Sequence, residues 1–431
     1  MGGKPVVGTH TRPDLDAIAS IWLWQNYGDE RAKKSVVAVF LTEGDRALIT
    51  PQLMGVTLFD RGKGEFDHHR NNQIAETTAS IVAKKLGVAE NPEIKRLLGK
   101  VQRSDLQGES LPFDVSDLIK CMQRLEEIPD QEIVELGTRI IKDGVEFSKK
   151  KLKRNNLALQ QIIMEFLGSK EIIPPKFQDY IDKLSNPNFE RHFDLAEILA
   201  VEGEVAKDFI LRLLEYEYRD SLNYLKAIEE VRKAWKTKIR GVVIVADFSD
   251  NPRFKDTARN DQKALITIQR RSNGQTGIYF DTERTDDALI ETLISMIRLE
   301  ECLIQHRPIP KADLRKPEWV EGIPEWYYYK APWIPGKKKK PGRFLLNGSL
   351  TAPEVPPSKI PMEILRELVQ KAIIYQPFNW ARWKAERLAY YLNEKIAAPL
   401  FFYFNSTLAP AASNFFFISS ASCFLTFSLI T

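Results

Sequence analysis

Apolar positions near the start of the chain fall into short β-branched runs separated by stretches with helical spacing. Lys4 to Gly8, Val36 to Leu41 and Val56 to Phe59 read as buried strands. Asp14 to Tyr27 and Glu76 to Leu86 read as helices between and after them. Strands alternating with helices predict an α/β fold with a mainly parallel sheet and flanking helices. Ligands in such sheets bind outside the carboxyl ends of the strands.

From Pro112 to Lys238 the pattern turns helical, with long amphipathic runs at Asp130 to Arg154 and Glu202 to Trp235. Strands return at Gly241 to Asp247, Ala264 to Arg270 and Gly277 to Phe280, followed by a helix from Asp287 to Glu300. A Pro, Trp and Tyr-rich segment, Pro317 to Lys340, reads as a loop. Arg343 to Gly348 and helices at Pro361 to Ile374 and Trp380 to Lys395 come after it. The expected organisation is a metal-binding α/β domain over 1–110, a helical insert or connector over 111–239, and a smaller α/β substrate domain over 240–397. No internal repeat is visible.

Residues 398–431 form an uncharged Phe and Ser-rich tail unlike anything upstream. A membrane span needs about 20 apolar residues, and Asn405, Pro410 and Asn414 interrupt this one. A tail anchor and an out-of-frame end are both open readings. Neither enters the functional argument, and no stable membrane association is expected.

Composition narrows the classes further. With 431 residues, 43% of them hydrophobic, the chain can bury two or three cores. Lys and Arg total 62 against 58 acids, so the net charge of +4 does not by itself demand a polyanionic partner. Cys121, Cys302 and Cys423 have no metal-ribbon spacing, which fits a reducing compartment and a cytoplasmic location. Residue patterning sets no oligomeric state, and a homodimer is admitted.

The chemistry is concentrated at the expected ligand edge. His10, Asp14 and Asp16 follow the first strand, Asp60 closes the third, and Asp67, His68 and His69 come a short glycine-containing loop later. Three of the five histidines therefore lie in two short segments. Converging carboxylates would repel one another without a cation. Carboxylates with a few imidazoles suit Mn²⁺ or Mg²⁺ better than the thiolate-rich sets of structural zinc. Two ions about 3.5–4 Å apart need a bridging carboxylate. Alone, each motif also reads as an aspartate capping a helix beside a satisfied histidine. Together and in this order they favour a metal centre.

The run THTRPDLDAIAS from Thr9 to Ser20 resembles the first motif of the DHH phosphoesterase superfamily, and Phe66 to Arg70 resembles the triplet that names it. That superfamily includes RecJ-like exonucleases, nano-RNases, cyclic-dinucleotide phosphodiesterases and manganese pyrophosphatases. The short interval from Asp60 to Asp67 is also distantly similar to MYG-type exonucleases. The resemblance implies that His10, Asp14 and Asp60 hold one metal. Asp16, Asp60, His68 and Asp105 would hold a second, with Asp60 as the bridge. It further implies that His69 faces the scissile phosphate, that Asp67 orients a histidine from behind the metal, and that Arg70 neutralises phosphate. Asp105 reads equally as a capping or surface aspartate. Hydroxyls in Glu76 to Ser80 either touch phosphate or cap the following helix.

The substrate is less legible, because the Gly-Gly-Gly-His motif of many DHH nucleases is absent. Trp326, Tyr327, Tyr328, Tyr329 and Trp333 precede Lys337, Lys338 and two further lysines, a combination suited to single strands by stacking and phosphate attraction. The alternative is a solvated loop. Arg270 and Arg271 are candidates to clamp a terminal phosphate. The expected activity is two-metal hydrolysis of short nucleic acids or nucleotides. Pyrophosphate or polyphosphate hydrolysis is the second reading, and a non-catalytic nucleotide sensor the third.

Overall fold

The computed structural model describes residues 4–42, 55–61, 64–68, 76–185, 194–330, 342–349, 352–374 and 379–393. Its first sheet has the order β2-β1-β3, built from β1 (Val6–His10), β2 (Val36–Leu41) and β3 (Val56–Leu58). Both pairings are parallel, with Val6 opposite Val36 on one side and Val56 on the other. Gly8 sits in the middle strand, where an added Cβ would lie 2.8 Å from the Val39 Cβ. A larger residue there would push β1 and β2 apart.

Helix α1 (Leu15–Tyr27) starts where Asp14 accepts a hydrogen bond from the Ala17 amide, a side-chain cap on the first turn. The short α2 (Glu30–Lys33) follows, then α3 (Thr78–Lys85) and α4 (Pro92–Gln107). The latter helix has proline at its start and Gly108 at φ 65 past its end, the usual chemistry of helix punctuation. The sequence reading assigned no element here, although Ile94, Leu97 and Val101, all buried, recur at helical spacing.

The helical region comprises α5 (Val115–Arg124), α6 (Asp130–Lys150), α7 (Asn156–Gly168), α8 (Pro175–Leu184), α9 (Asp194–Glu202) and α10 (Lys207–Lys233). It shares a core with the first sheet: Val7, Ile18, Phe59 and Val101 pack in one cluster with Ile133, Ile163, Leu195 and Leu213. Each such side chain stabilises the fold by about 1.5–3 kcal/mol when fully buried. The helices are thus fastened to the sheet that carries the site.

A seven-stranded sheet follows in the order β4-β5-β6-β7-β10-β9-β8. Its strands are β4 (Trp235–Ile239), β5 (Val242–Phe248), β6 (Ile266–Arg270), β7 (Thr276–Phe280), β8 (Glu318–Val320), β9 (Ile323–Lys330) and β10 (Arg343–Asn347). Only β5 and β6 are described as pairing in parallel; the other ladders are antiparallel. Helices α12 (Asp287–Ile304), α13 (Met362–Ile374) and α14 (Trp380–Asn393) contribute to the core on one face. Helix α11 (Phe254–Asp261) packs through Phe254 and Ala258 on Val245, on the other side of β5.

The expected loop after Pro317 is instead a strand pair. In β9 the side chains alternate, so Trp326 and Tyr328 are fully buried while Tyr327 and Tyr329 are half-buried. The buried Arg298 guanidinium donates to the carbonyls of Leu314, Lys316, Glu318 and Trp326, supplying partners that the short edge strand would otherwise lack. Trp333 and the lysines from Lys337 to Lys340 lie outside the described residues. So does the 398–431 tail. Among the described residues, no helix is long and apolar enough to cross a membrane.

Candidate metal centre

Parallel pairing brings His10, the last residue of β1, and Asp60, just beyond β3, to the same sheet edge. Asp60 adopts a left-handed backbone with φ 55, an uncommon conformation for a non-glycine residue. It is held there by its own amide, which donates to the Phe66 carbonyl at 2.8 Å, and by the bridge between Phe59 and Phe66. Trp24 packs edge-on against both phenylalanines. The apolar clamp brings His68 beside Asp60, and both Asp67 and His68 are buried.

Two donor sets result. His10, Asp14 and Asp60 form one, and Asp16, Asp60 and His68 the other, with candidate ligand atoms in each set within 4.8 Å of one another. Asp60 belongs to both. Its Oδ2 lies 3.4 Å from His10 Nε2, and its Oδ1 lies 3.0 Å from His68 Nδ1. Asp14 is 3.8 Å from His10 Nε2 while capping α1, so it serves as helix cap and as candidate ligand together.

Asp16 is anchored by the next helix. Its two oxygens accept from the amides of Thr78 and Ala79, each at 2.7 Å, at the N-terminus of α3. A carboxylate there complements the helix dipole, and each oxygen retains a second lone pair for a cation. The Thr78 hydroxyl donates to Asp60 Oδ1 at 3.1 Å and sits 3.0 Å from His68 Nδ1. Thr77 caps α3 through Ser80. The hydroxyls of this segment therefore cap the helix and support the candidate ligands.

Asp105, in the last turn of α4, stands apart from these sets. It lies 3.7 Å from His68 Nε2, on the opposite side of the imidazole from Asp16 and Asp60. Its Oδ2 is buried and has no hydrogen-bond partner among the described residues. Burial, with repulsion from Asp14 and Asp16, pushes its pKa up to about 8. Burial and the nearby Asp60 and Asp14 likewise raise Asp16 to about 6, against the opposing pull of His68. Burial would neutralise His68, but its bonds to Asp16 and Asp60 outweigh it and raise the ring to about 11. Asp60 is drawn the other way. Burial raises it, while hydrogen bonds from His10 and His68 prevail and hold it well below the usual carboxylate range. The imidazoles act as proton-borne cations in a crowd of carboxylates. A divalent cation would supply that charge and fit the oxygen-rich donor sets.

The loop between β1 and α1 is gripped by the helical region, through contacts with no local sequence signal. Arg12, at φ 53, donates to the Glu126 and Ile128 carbonyls, each at 2.6 Å. Its amide donates to Asp130, and the Gln123 amide group donates to the Arg12 and Pro13 carbonyls. Partners more than a hundred residues away thus fix the backbone between His10 and Asp14.

Other expected site residues are placed differently. His69 and Arg70 lie outside the described residues, as do Lys337 and Lys338. Arg270 does not present a phosphate clamp: strand alternation turns it inward, where it donates to the Thr276 hydroxyl and the Ile360 carbonyl. Arg271 pairs with Glu126 at 2.6 Å. Trp326 and Tyr328 are core residues, and Trp326 Nε1 donates to Glu301. A further acidic group, Asp117, Cys121 and Glu217, already has the Lys176 ammonium bound to Asp117 at 2.7 Å and to Glu217.

No family model and no curated protein sequence matches the chain. Solved structures similar to it include RecJ in complex with Mn²⁺ from Thermus thermophilus, at 8% identity and TM-score 0.34 over 86% of this chain. The chain spans 52% of that protein. An uncharacterized protein from Helicobacter pylori is similar over 64% of this chain and 85% of its own, at 10% identity and TM-score 0.22.

Proposed function

We propose that this chain is a metal-dependent phosphoesterase that hydrolyses phosphodiester bonds of short nucleic acids or nucleotides at the His10–Asp60–His68 centre. The observation that carries this reading is the position of Asp60 between two donor sets. One carboxylate shared by two sites is the arrangement that a pair of ions about 3.5–4 Å apart requires. A structural role would need no such convergence of buried acids.

The chain's own groups then have separable tasks. His10, Asp14 and Asp60 would hold one ion, and Asp16, Asp60 and His68 the other. Mn²⁺ and Mg²⁺ both suit the set. Such a pair supplies Lewis-acid charge at a phosphoryl centre and lowers the pKa of bound water. Thr78 fixes the orientation of Asp60 and His68, and the backbone amides at the start of α3 fix Asp16. Asp105, whose buried oxygen has no hydrogen-bond partner among the described residues, would approach His68 Nε2 from the side away from Asp16 and Asp60.

A panel of pyrophosphate, dinucleotides, cyclic dinucleotides and longer single strands with Mn²⁺ tests the reading. Mononucleotide release is the expected result. Phosphate from pyrophosphate alone, with no cleavage of any oligonucleotide, would replace this reading with pyrophosphatase activity.

A further inference from the structure

Helix α7 buries Leu159, Ile162, Ile163 and Leu167 and packs on α8, α9 and α10. The opposite face of such a surface helix is ordinarily polar. Here it carries Leu157, Gln161, Met164 and Gly168, all exposed and spaced four, three and four residues apart, so they form one stripe along the helix. Exposed Ile172 and Ile173 follow just past the end of the helix. Val205, in the turn before α10, lies beside Glu165, because Lys207, two residues on, donates to Glu165 at 2.6 Å. Five of the seven large apolar residues exposed among those described are thus in or next to α7. Apolar surface gathered on one side in this way marks an interaction site.

Charge indicates what covers the stripe. Its ends lie about 20 Å apart, the length of a helix of this size. The turn before α7 is basic: Lys149 and Lys150 share Glu146, and Lys151 and Lys153 follow, both exposed. The other end is acidic: Glu165, Glu204 and Asp208 outnumber Lys207 there, and exposed Glu171 comes just after the helix. A surface with apolar residues in the middle and opposite charges at its ends complements itself when turned end for end. That is the geometry of a two-fold interface, in which residue i meets j and j meets i. A uniformly anionic surface, lipid included, would suit the basic end and be repelled at the acidic one.

We propose that α7 is the interface of a homodimer, with the helices of two copies laid antiparallel across a two-fold axis beside Gln161. This centring sets Leu157 of each copy over Met164 of the other, and lays Lys151 and Lys153 along the end that carries Glu171. Gln161 sits near the axis, where its amide, both donor and acceptor, can bond its own counterpart. Gly168 falls opposite Lys153 of the second copy and leaves room for that long side chain. Within one copy an added Cβ at Gly168 meets nothing within 4 Å, so the room is on the outer side. No candidate metal ligand lies on α7, and the dimer therefore stands apart from the phosphodiester reading.

The test is the mass of the full chain in solution, by sedimentation equilibrium at micromolar concentration. A dimer is expected, and it should weaken as salt is raised, because the charges at its ends are exposed and screened. Met164→Glu and Leu157→Asp each place a charge in the apolar centre and should weaken the dimer by at least about tenfold. Both positions are exposed in one copy, and circular dichroism checks that each variant is folded. Charge reversal then fixes the orientation. A chain with Lys151→Glu and Lys153→Glu is acidic at both ends, and one with Glu165→Lys and Glu171→Lys is basic at both. Each should self-associate more weakly than the unmodified chain, while an equal mixture of the two recovers the dimer. A monomer at these concentrations, or a dimer that Met164→Glu and Leu157→Asp leave intact, overturns the proposal. A mixture that associates no more tightly than either variant alone overturns it as well, since the antiparallel arrangement requires the two ends to meet.

Discussion

His68 Nδ1 faces Asp60 Oδ1 at 3.0 Å, and the Thr78 hydroxyl touches both groups. A residue from the loop after β3 and one from the start of α3 thereby meet at the carboxylate that both donor sets share. Thr78→Val keeps the shape but removes the hydroxyl, so Asp60 and His68 lose a fixed partner. Changes of this kind behind a ligand lower metal affinity or activity by about 10–100-fold. Manganese titration and turnover of a dinucleotide should both show the loss, and Thr78→Ser should restore most of it. Unchanged affinity in Thr78→Val would remove Thr78 from the site.

Proton release should accompany metal uptake. Without a cation, Asp105 titrates at about 8, Asp16 at about 6 and His68 at about 11. A cation must displace the protons these groups hold near neutrality, so affinity rises as pH increases from about 6 to 8. Calorimetry in two buffers of different ionisation heat measures the protons directly. Heats that agree in both buffers would contradict the protonated apo site.

The grip on the loop between β1 and α1 predicts a joint effect on stability and affinity. Arg12→Ala leaves the Glu126 and Ile128 carbonyls without their donor. Such a loss costs about 1–3 kcal/mol where the groups stay buried. Manganese affinity should fall along with stability, because the backbone between His10 and Asp14 is no longer held. Gln123→Ala should act in the same direction, more weakly. Lower stability with unaltered manganese affinity would confine this clamp to a structural role.

Asp143 gives a pH signature away from the site. Burial, then its neighbour Glu202, push its pKa to about 7 from a usual 3.8, whereas Arg139 holds Glu202 low. A pKa raised by folding stabilises the protein fully below the usual value and ceases to do so as pH rises through the raised one. This contribution should therefore decline between about pH 4 and 7, by at most about 1.4 kcal/mol per unit. Asp143→Asn should flatten that part of the stability profile measured by urea unfolding. An unchanged slope would show that Asp143 ionises normally.

Much of this arrangement is legible in the sequence, for identifiable reasons. A β-branched apolar run and a helical stretch place β2 and α1 with little error, and the strand-end positions of His10 and Asp60 follow from parallel pairing. Helix α4 keeps helical spacing at Ile94, Leu97 and Val101, a signal that the strand-and-helix reading did not use. The Pro and Trp content hid β9, where a two-residue alternation runs through four consecutive aromatics. Arg270 looks like a phosphate ligand by type, yet its strand position turns it towards Thr276 and Ile360. The clamp by Gln123 and Asp130 leaves no local signal, since those contacts join residues on separate elements far apart in the chain.

The most direct test of the shared carboxylate is the manganese stoichiometry of Asp60→Ala beside its dinucleotide turnover. The account predicts two ions per unmodified chain. In the variant both sites should weaken, and activity should fall by more than the roughly 100-fold that changes behind a ligand can cause. Two tightly bound ions and full turnover in Asp60→Ala would contradict it.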